Sequence, residues 1–113
     1  MKRTFVEVEL FRKQIDASGD KELLHRIQTE ILKNIEAGDV VPGTGGIRKI
    51  RLADPSRGKG KRGGYRVLYL DLQDRGKTYL ISMYGKKDSE DISEEEKREI
   101  RKLVYILKSE AKS

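Results

Sequence analysis

The chain contains no cysteine and a single histidine among its 113 residues, and it lacks any long apolar run. Without cysteine, neither a disulfide nor a thiolate metal site can form. One histidine provides no paired His/Cys metal spacing, and it leaves the serines without a partner for a hydrolytic triad. The chain also lacks the ~20 apolar residues of a membrane span and the apolar run of a signal peptide. We therefore expect a cytoplasmic protein with no membrane association, no protein-bound metal and no cofactor.

Charged residues are abundant: they make up 39% of the chain, against 35% hydrophobic residues, and the net charge is +6. A chain of 113 residues can bury a modest core, and we predict a single domain spanning residues 1–113. Residues 43–87 hold 12 Lys and Arg and three acids, a net charge of +9, whereas the remainder carries −3. This segregation favours a polyanionic partner, although a solvated charged face would have the same composition.

Apolar periodicity predicts four strands. Residues 4–10 alternate apolar and polar side chains, and three further strands are predicted at 47–53, 65–73 and 78–84. The last two are joined by DRGK, which is typical of a hairpin turn. The preceding glycine-rich stretch, GDVVPGTGG, is predicted to be a loop.

Three helices accompany these strands. ELFRKQIDAS is expected to form a short helix, and a longer one follows, with Asp20 as its N-cap and Gly38 at its end. The apolar stripe of the longer helix consists of Leu23, Leu24, Ile27, Ile31 and Ile35. Ser93 and Glu96 form a capping box before a C-terminal helix. The stripe of that helix consists of Ile100, Leu103, Val104 and Leu107. The order of elements predicts an α+β fold in which two N-terminal helices and a C-terminal helix pack on an antiparallel-rich sheet.

The strand IRKIRLA carries cations on both faces. Its pleat sends Lys49 and Arg51 to one face, about 7 Å apart, and Arg48, Ile50 and Leu52 to the other. Burying two unpaired cations would be very costly. We therefore expect the face with Lys49 and Arg51 to be exposed or to receive an anion.

Further cations lie near the ends of the neighbouring strands. Arg66 begins one strand, and Lys86 and Lys87 follow the last. The glycine-rich loop 57–64 adds Lys59, Lys61 and Arg62. Preorganised cations stabilise the negative charge that a phosphodiester gains in a pentacoordinate transition state. RNA supplies its own nucleophile, the 2′-hydroxyl, so that its cleavage requires no histidine. The alternative interpretation of the loop is a solvated connector without contacts.

Other motifs are weaker. GTGGIRK and GKGKRGG lack the GKS or GKT ending and the strand–loop–helix setting of a nucleotide-binding loop. His25 lies off the apolar stripe and is interpreted as an exposed helix residue rather than a catalytic one. Strand tyrosines can stack on bases, but packing within the sheet is their commoner role. Those considered are Tyr65, Tyr69, Tyr79 and Tyr84.

In order along the chain, GTGGIRKIRLA, GKGKRGGYRVLY and LISMYGKKDSEDIS resemble the RelE/HigB superfamily of toxin–antitoxin ribonucleases, and most closely its HigB-like branch. The resemblance covers most of the chain. It implies the small RelE-like fold and a microbial toxin that enters the ribosomal A site, cleaves mRNA there and is neutralised by a cognate antitoxin. The implied reaction is attack of the 2′-hydroxyl on the adjacent phosphate, which leaves a 2′,3′-cyclic phosphate and a 5′-hydroxyl.

By position, the resemblance assigns the catalytic roles to Lys49, Arg51, Arg66 and Lys87. Arg51 and Arg66 would stabilise the phosphorane, and Lys87 the leaving oxygen. Some members have a lysine at the Arg51 position that removes the proton; arginine stays protonated, so we assign that role to Lys49. RNA binding is expected of Lys59, Lys61, Arg62 and Lys86.

One departure motivates an alternative function. The tyrosine that some members carry after GK is missing from DSEDIS, where Ser93 stands at the nearest offset. Together with the arginine at position 51, this departure is compatible with a basic RNA- or ribosome-binding module that performs no chemistry. The antitoxin, in turn, would either cover the cationic sheet or block ribosome entry by its bulk, and the sequence leaves both open.

Overall fold

The computed structural model describes residues 3–53, 64–85 and 92–111. Its strands are β1 (Thr4–Glu7), β2 (Asp39–Val40), β3 (Arg48–Leu52), β4 (Tyr65–Leu72) and β5 (Lys77–Gly85). They form one five-stranded sheet in the order β1-β5-β4-β3-β2. β1 pairs with β5 in parallel, and the other neighbours are antiparallel. With helices on both faces of this sheet, the predicted α+β fold is confirmed.

β4 and β5 form the central hairpin. Their turn contains the 3-10 segment Gln73–Arg75, which Gly76 follows with a φ of 63°, a left-handed conformation that suits glycine. The hairpin predicted from DRGK is therefore confirmed. Between Leu68 and Tyr69 the register with β5 shifts, which is the signature of a β-bulge and of a locally stronger twist.

Two helices, α1 (Glu9–Ser18) and α2 (Leu23–Lys33), cover one face of the sheet. The buried side chains between these layers are Phe11, Leu23, Ile27, Ile31, Ile50, Leu52, Val67, Tyr69, Leu80 and Met83. Leu24 and Ile35 pack against this cluster from its edge. The apolar stripe predicted for α2 is therefore confirmed, and we call this side of the sheet the two-helix face.

The ends of these elements differ from the prediction. β1 stops at Glu7 rather than at residue 10, because α1 already begins at Glu9. Asp20 is not the N-cap of α2, since Glu22 holds that position. Instead, Asp20 Oδ1 accepts the Glu22 N–H at 2.9 Å and so organises the turn before the helix. α2 ends at Lys33, well before the predicted glycine.

Gly38 has a different role from the predicted helix stop. Its N–H donates to Tyr69 Oη at 3.1 Å, and that hydroxyl donates to Ile35 O at 2.8 Å. A Cβ at position 38 would lie 2.9 Å from Tyr69 Oη and 3.0 Å from Lys49 O, so the close approach requires glycine. β2, which begins at the next residue, was predicted as loop, because two residues are too few for alternation to be recognised.

The opposite face of the sheet is covered by one helix, α3 (Glu94–Ala111), and we call it the one-helix face. The predicted capping box is confirmed: the Ser93 N–H donates to Glu96 Oε1 at 3.3 Å, and the Glu96 N–H donates to Ser93 Oγ at 3.1 Å. The buried cluster on this face consists of Ile47, Leu68, Leu70, Tyr79, Ile81, Val104 and Leu107, with Ile100 and Leu103 partly buried against it. Within the described ranges, no helix is long and apolar enough to cross a membrane.

The middle and the C-terminal part of α3 are fastened to the loop between β2 and β3. Lys108 Nζ donates to Gly45 O at 2.9 Å, and Arg101 Nη1 donates to Gly43 O at 3.3 Å. Val104 approaches so closely that a Cβ added at Gly45 would lie 3.2 Å from its Cγ1. These contacts hold the helix over the end of the sheet where β3 begins.

Candidate active site

The strand register brings two of the predicted cations face to face. Arg51 on β3 lies directly opposite Arg66 on β4, and Lys49 lies opposite Leu68. Directly opposed residues project to the same side of an antiparallel sheet, with Cβ atoms about 4.5–5.5 Å apart. Lys49, Arg51 and Arg66 therefore share the one-helix face, while Ile50 and Leu52 enter the cluster under α1 and α2. The predicted pleat of β3 is confirmed.

The three cations differ in exposure. Lys49 is half-buried and Arg51 is exposed. Arg66 has only 4% of its surface accessible, and its Nη1 lies 3.4 Å from Gly64 O. The structure thus places an exposed arginine, Arg51, opposite a buried one, Arg66, on the neighbouring strand.

Arg51 and Arg66 place two positive charges at directly opposed positions of the sheet. Arginine is permanently protonated in proteins, and like charges directly opposite each other destabilise a sheet. A phosphate between Arg51 and Arg66 would turn this repulsion into two attractive contacts, and it could accept two parallel hydrogen bonds from either guanidinium.

Lys49 has an acidic neighbour that sequence reasoning missed. Asp39 of β2 lies directly opposite Lys49 in the antiparallel register. Asp39 therefore places a carboxylate beside Lys49 at the edge of the sheet. On the other side of β3, Arg51 lies opposite Arg66 of β4. Because β2 has only two residues, the sequence carried no signal that would have placed Asp39 here.

Tyr84 is a second neighbour that the prediction left out of the site. It lies opposite Arg66 in the β4–β5 register, and its ring packs against the cluster on the one-helix face. The sequence signal was its place in the last strand, directly before the GK motif. Tyr69 and Tyr79 are buried, so the predicted packing role of these two is confirmed over base stacking.

A groove of about 720 Å³ separates the first half of α3 from β4 and β5. Its floor and walls include Leu68, Ile81 and Ile100, and its helix side carries Glu95, Glu96 and Glu99. Acidic side chains repel a polyanion, so this groove is unsuited to a nucleic-acid backbone. A phosphate would therefore avoid this groove and favour the end of the sheet that holds Arg51 and Arg66.

The remaining predicted site residues cannot be placed against this geometry. Lys87, and the predicted RNA-binding residues Lys59, Lys61, Arg62 and Lys86, lie outside the described residues. His25 is exposed on α2, next to Leu52 and Ala53, so its interpretation as an exposed helix residue is confirmed. Among the residues that the structure describes, no group of three His, Cys, Asp or Glu side chains is arranged to hold a metal ion.

Solved structures with the same architecture include E. coli RelE in different states. A mutant of this toxin in the free state matches with a TM-score of 0.57 and 23% identity, over 80% of this chain and 90% of that one. The intact E. coli RelBE toxin–antitoxin complex matches at 0.53 and 23%, over 74% and 95%. The isolated E. coli RelE toxin matches at 0.53 and 22%, over 89% and 98%. At these identities the likeness shows a shared fold.

The family follows from the sequence profile that matches the chain. The profile described as "RelE toxin of RelE / RelB toxin-antitoxin system" covers residues 3–113, which is nearly the whole length. Together with the shared fold, this match confirms the resemblance drawn from the three motifs, while the HigB-like branch stays a prediction. The chain belongs to the RelE family of toxins of toxin–antitoxin systems.

Proposed function

We propose that this toxin is a ribosome-dependent endoribonuclease that cleaves mRNA in the A site and inhibits translation. The observation that carries the proposal is the placement of Arg51 directly opposite Arg66, with Lys49 two residues away on the same face. Family membership supports it, because toxins of this kind are known as endoribonucleases. The chemistry needs a surface that binds one phosphodiester and stabilises added charge, which is what opposed guanidinium groups provide.

The reaction requires three tasks of the side chains. Lys49 would take the proton of the 2′-hydroxyl as this oxygen attacks the adjacent phosphorus. Arg51 and Arg66 would hold the nonbridging oxygens, whose charge increases in the phosphorane. Lys87 would protonate the 5′-oxygen as its bond to phosphorus breaks, which leaves a 2′,3′-cyclic phosphate and a 5′-hydroxyl.

Binding to the ribosome would use the basic loop between β3 and β4. Glycines allow its backbone to approach RNA closely, and Lys59, Lys61 and Arg62 would neutralise phosphates without reading sequence. Lys86 would add a contact beside the site. In the cytoplasm a cognate antitoxin would hold the toxin inactive, in keeping with the toxin–antitoxin system that the family description names.

Cleavage of programmed ribosomes tests this proposal. Purified toxin should cut ribosome-bound mRNA and leave fragments that end in a cyclic phosphate, and Arg66→Ala should reduce the rate by about 100-fold. Arg75→Ala is the matched control, because Arg75 is exposed in the turn at the other end of β4 and should leave cutting unchanged. Intact message with the wild type, or equal cutting by Arg66→Ala, would refute it.

The covered position of Arg66 favours a second candidate, the RNA-binding module without chemistry. An arginine that is buried to this extent offers a phosphate little accessible surface unless its surroundings move. Ribosome association with steep salt dependence, but without strand scission, would select this function.

A further inference from the structure

We infer that the outer surface of α3 is a second RNA-binding surface, separate from the cations of the sheet. It consists of Arg98, Arg101, Lys102, Tyr105 and Ile106, which line one shallow depression of about 550 Å³. The inference rests on the proposed function in so far as ribosomal RNA is its ligand. None of these residues belongs to the active site described above.

The spacing of these side chains places them on one stripe. Arg98, Arg101, Lys102 and Tyr105 follow each other at intervals of three, one and three residues, which α-helical geometry brings to the same side. Arg98 and Lys102, one turn apart, are separated by about 6 Å along the axis. This distance is comparable to that between successive phosphates of a nucleic-acid strand.

The exposure of Tyr105 is the unusual feature of this stripe. Tyr105 is 75% accessible and Ile106 is 50% accessible, although both belong to a helix whose other side is buried. A tyrosine ring amid cations is the combination with which proteins bind unpaired RNA: the ring stacks on a base while the cations hold the backbone. The Ile106 side chain would contact the ribose beside that base.

The charge of α3 is unevenly distributed: the helix as a whole is neutral, with five bases and five acids, and its cations follow an acidic first turn. Residues 97–108 contain five bases and one acid, a net charge of +4, within a chain whose net charge outside residues 43–87 is −3. The acid, Glu99, pairs with Lys102 at 3.4 Å, and both side chains are about 70% exposed, so that this pair is weak and gives way to a phosphate. α3 also covers the same side of the sheet as Arg51 and Arg66. An RNA strand bound by these two arginines would therefore also run along the helix.

Binding of the full chain to vacant 70S ribosomes tests this surface without requiring cleavage. Arg98→Glu/Lys102→Glu should weaken binding by at least tenfold and reduce the slope of log affinity against log salt by about 1.5, since each phosphate contact contributes about 0.7–0.9. Tyr105→Ala should weaken binding about tenfold with an unchanged slope, because a stacking contact involves no counterion.

The matched control is Arg12→Glu/Lys13→Glu, an equal change in charge on exposed α1, on the opposite side of the sheet. It should bind ribosomes as the wild type does, apart from the small effect of net charge. Wild-type binding without cleavage would refute only the proposed activity and leave this surface in place.

Three results would overturn the inference. The α3 variants could bind ribosomes as tightly as the α1 control, or the wild type could fail to bind them at all. Alternatively, Tyr105→Ala and the Arg98→Glu/Lys102→Glu variant could lose binding to the cognate antitoxin while ribosome binding is unchanged. The last result would assign the stripe to an acidic protein segment instead of RNA.

Discussion

The two faces of the sheet divide the tasks of this small protein between them. The two-helix face is sealed by α1 and α2, and residues 3–38 carry six bases and seven acids, a net charge of −1. Within the described ranges, α3 is the helix that covers the one-helix face, which holds Lys49, Arg51 and Arg66 on β3 and β4. The difference teaches that buried clusters on both sides of the strands stabilise the fold, whereas the candidate anion site lies on one side.

Arg48 and Arg51, three residues apart on β3, show this division within one strand. Arg48 points toward the two-helix face, where its Nη1 donates to Glu36 O at 3.2 Å and to Gly38 O at 2.8 Å. Arg51 points to the other face, opposite a second arginine. On one face, the arginine at position 48 is thus a hydrogen-bond donor to the backbone. On the other face, the arginine at position 51 is a candidate phosphate ligand.

The largest effect on stability is expected on the two-helix face. Phe11→Ala should lower the free energy of unfolding by about 3–5 kcal/mol, because the ring is fully buried and its removal leaves a cavity. Leu32→Ala is the control: Leu32 is 55% exposed on α2 and should change stability by less than about 0.5 kcal/mol. Urea unfolding measures both, and an equal loss in the two variants would contradict the proposed core.

The largest effect on activity is expected on the one-helix face. Arg51→Ala should reduce cleavage of ribosome-bound mRNA by about 100-fold, since it removes a charge that stabilises the phosphorane. It should leave stability unchanged or slightly higher, because the repulsion from Arg66 disappears with it. Cleavage rates and urea unfolding measured on the same preparation check both parts.

Arg48→Ala is the counterpart that sharpens this comparison. Losing the hydrogen bonds to two backbone carbonyls should cost about 1–3 kcal/mol of stability, while the folded variant keeps its cleavage rate. If Arg48→Ala abolished cleavage and Arg51→Ala left it intact, the assignment of the two faces would be reversed.

A smaller effect is expected for Tyr69→Phe. This variant loses the bond to Ile35 O and leaves the Gly38 N–H without an acceptor, at a cost of about 1–3 kcal/mol. Burial raises the pKa of the Tyr69 hydroxyl above its usual value of 10.0, partly offset by the bond from Gly38. The contribution is therefore complete below pH 10 and is lost as the pH rises through the folded pKa. Urea unfolding at rising pH should show the gap to wild type narrowing, and a constant gap would contradict this.

The smallest effect is expected for Asp20→Asn. The hydrogen bond from Arg26, aided by the Glu22 N–H, lowers the pKa of Asp20 below its usual value of 3.8. Its stabilising contribution is therefore present above pH 4 and is lost as the pH falls through the folded pKa. Thermal unfolding should show a small deficit at pH 6 that shrinks as the pH is lowered through the folded pKa, with Asp16→Asn on α1 as the exposed control. A deficit that persists at low pH would mean that the carboxylate is not its source.

Much of the fold was predictable because its signals are local. The stripe of α2, the capping box of α3 and the alternation of β3 each lie within a few residues, and each was confirmed. β2 was not predictable, since a two-residue strand exists only through its pairing with β3. Gly38 was assigned to a helix end for the same reason, as its contact with Tyr69 spans 31 residues.

The candidate site was predictable in part. The pleat alone placed Lys49 and Arg51 on one face, but the opposition of Arg51 and Arg66 depends on the register between β3 and β4. Tyr84 and Asp39 entered the site through register as well. The burial of Arg66 was not predictable, because a charged residue near the start of a strand is usually accessible.

The central claim is that Arg51 and Arg66 act together on one scissile phosphate. A double-mutant cycle of Arg51→Ala and Arg66→Ala, measured by cleavage of ribosome-bound mRNA, tests it most directly. If both guanidinium groups stabilise the same phosphorane, the double variant should lose much less activity than the product of the two single losses. Losses that multiply independently, or a single variant that cleaves as fast as the wild type, would contradict the shared site.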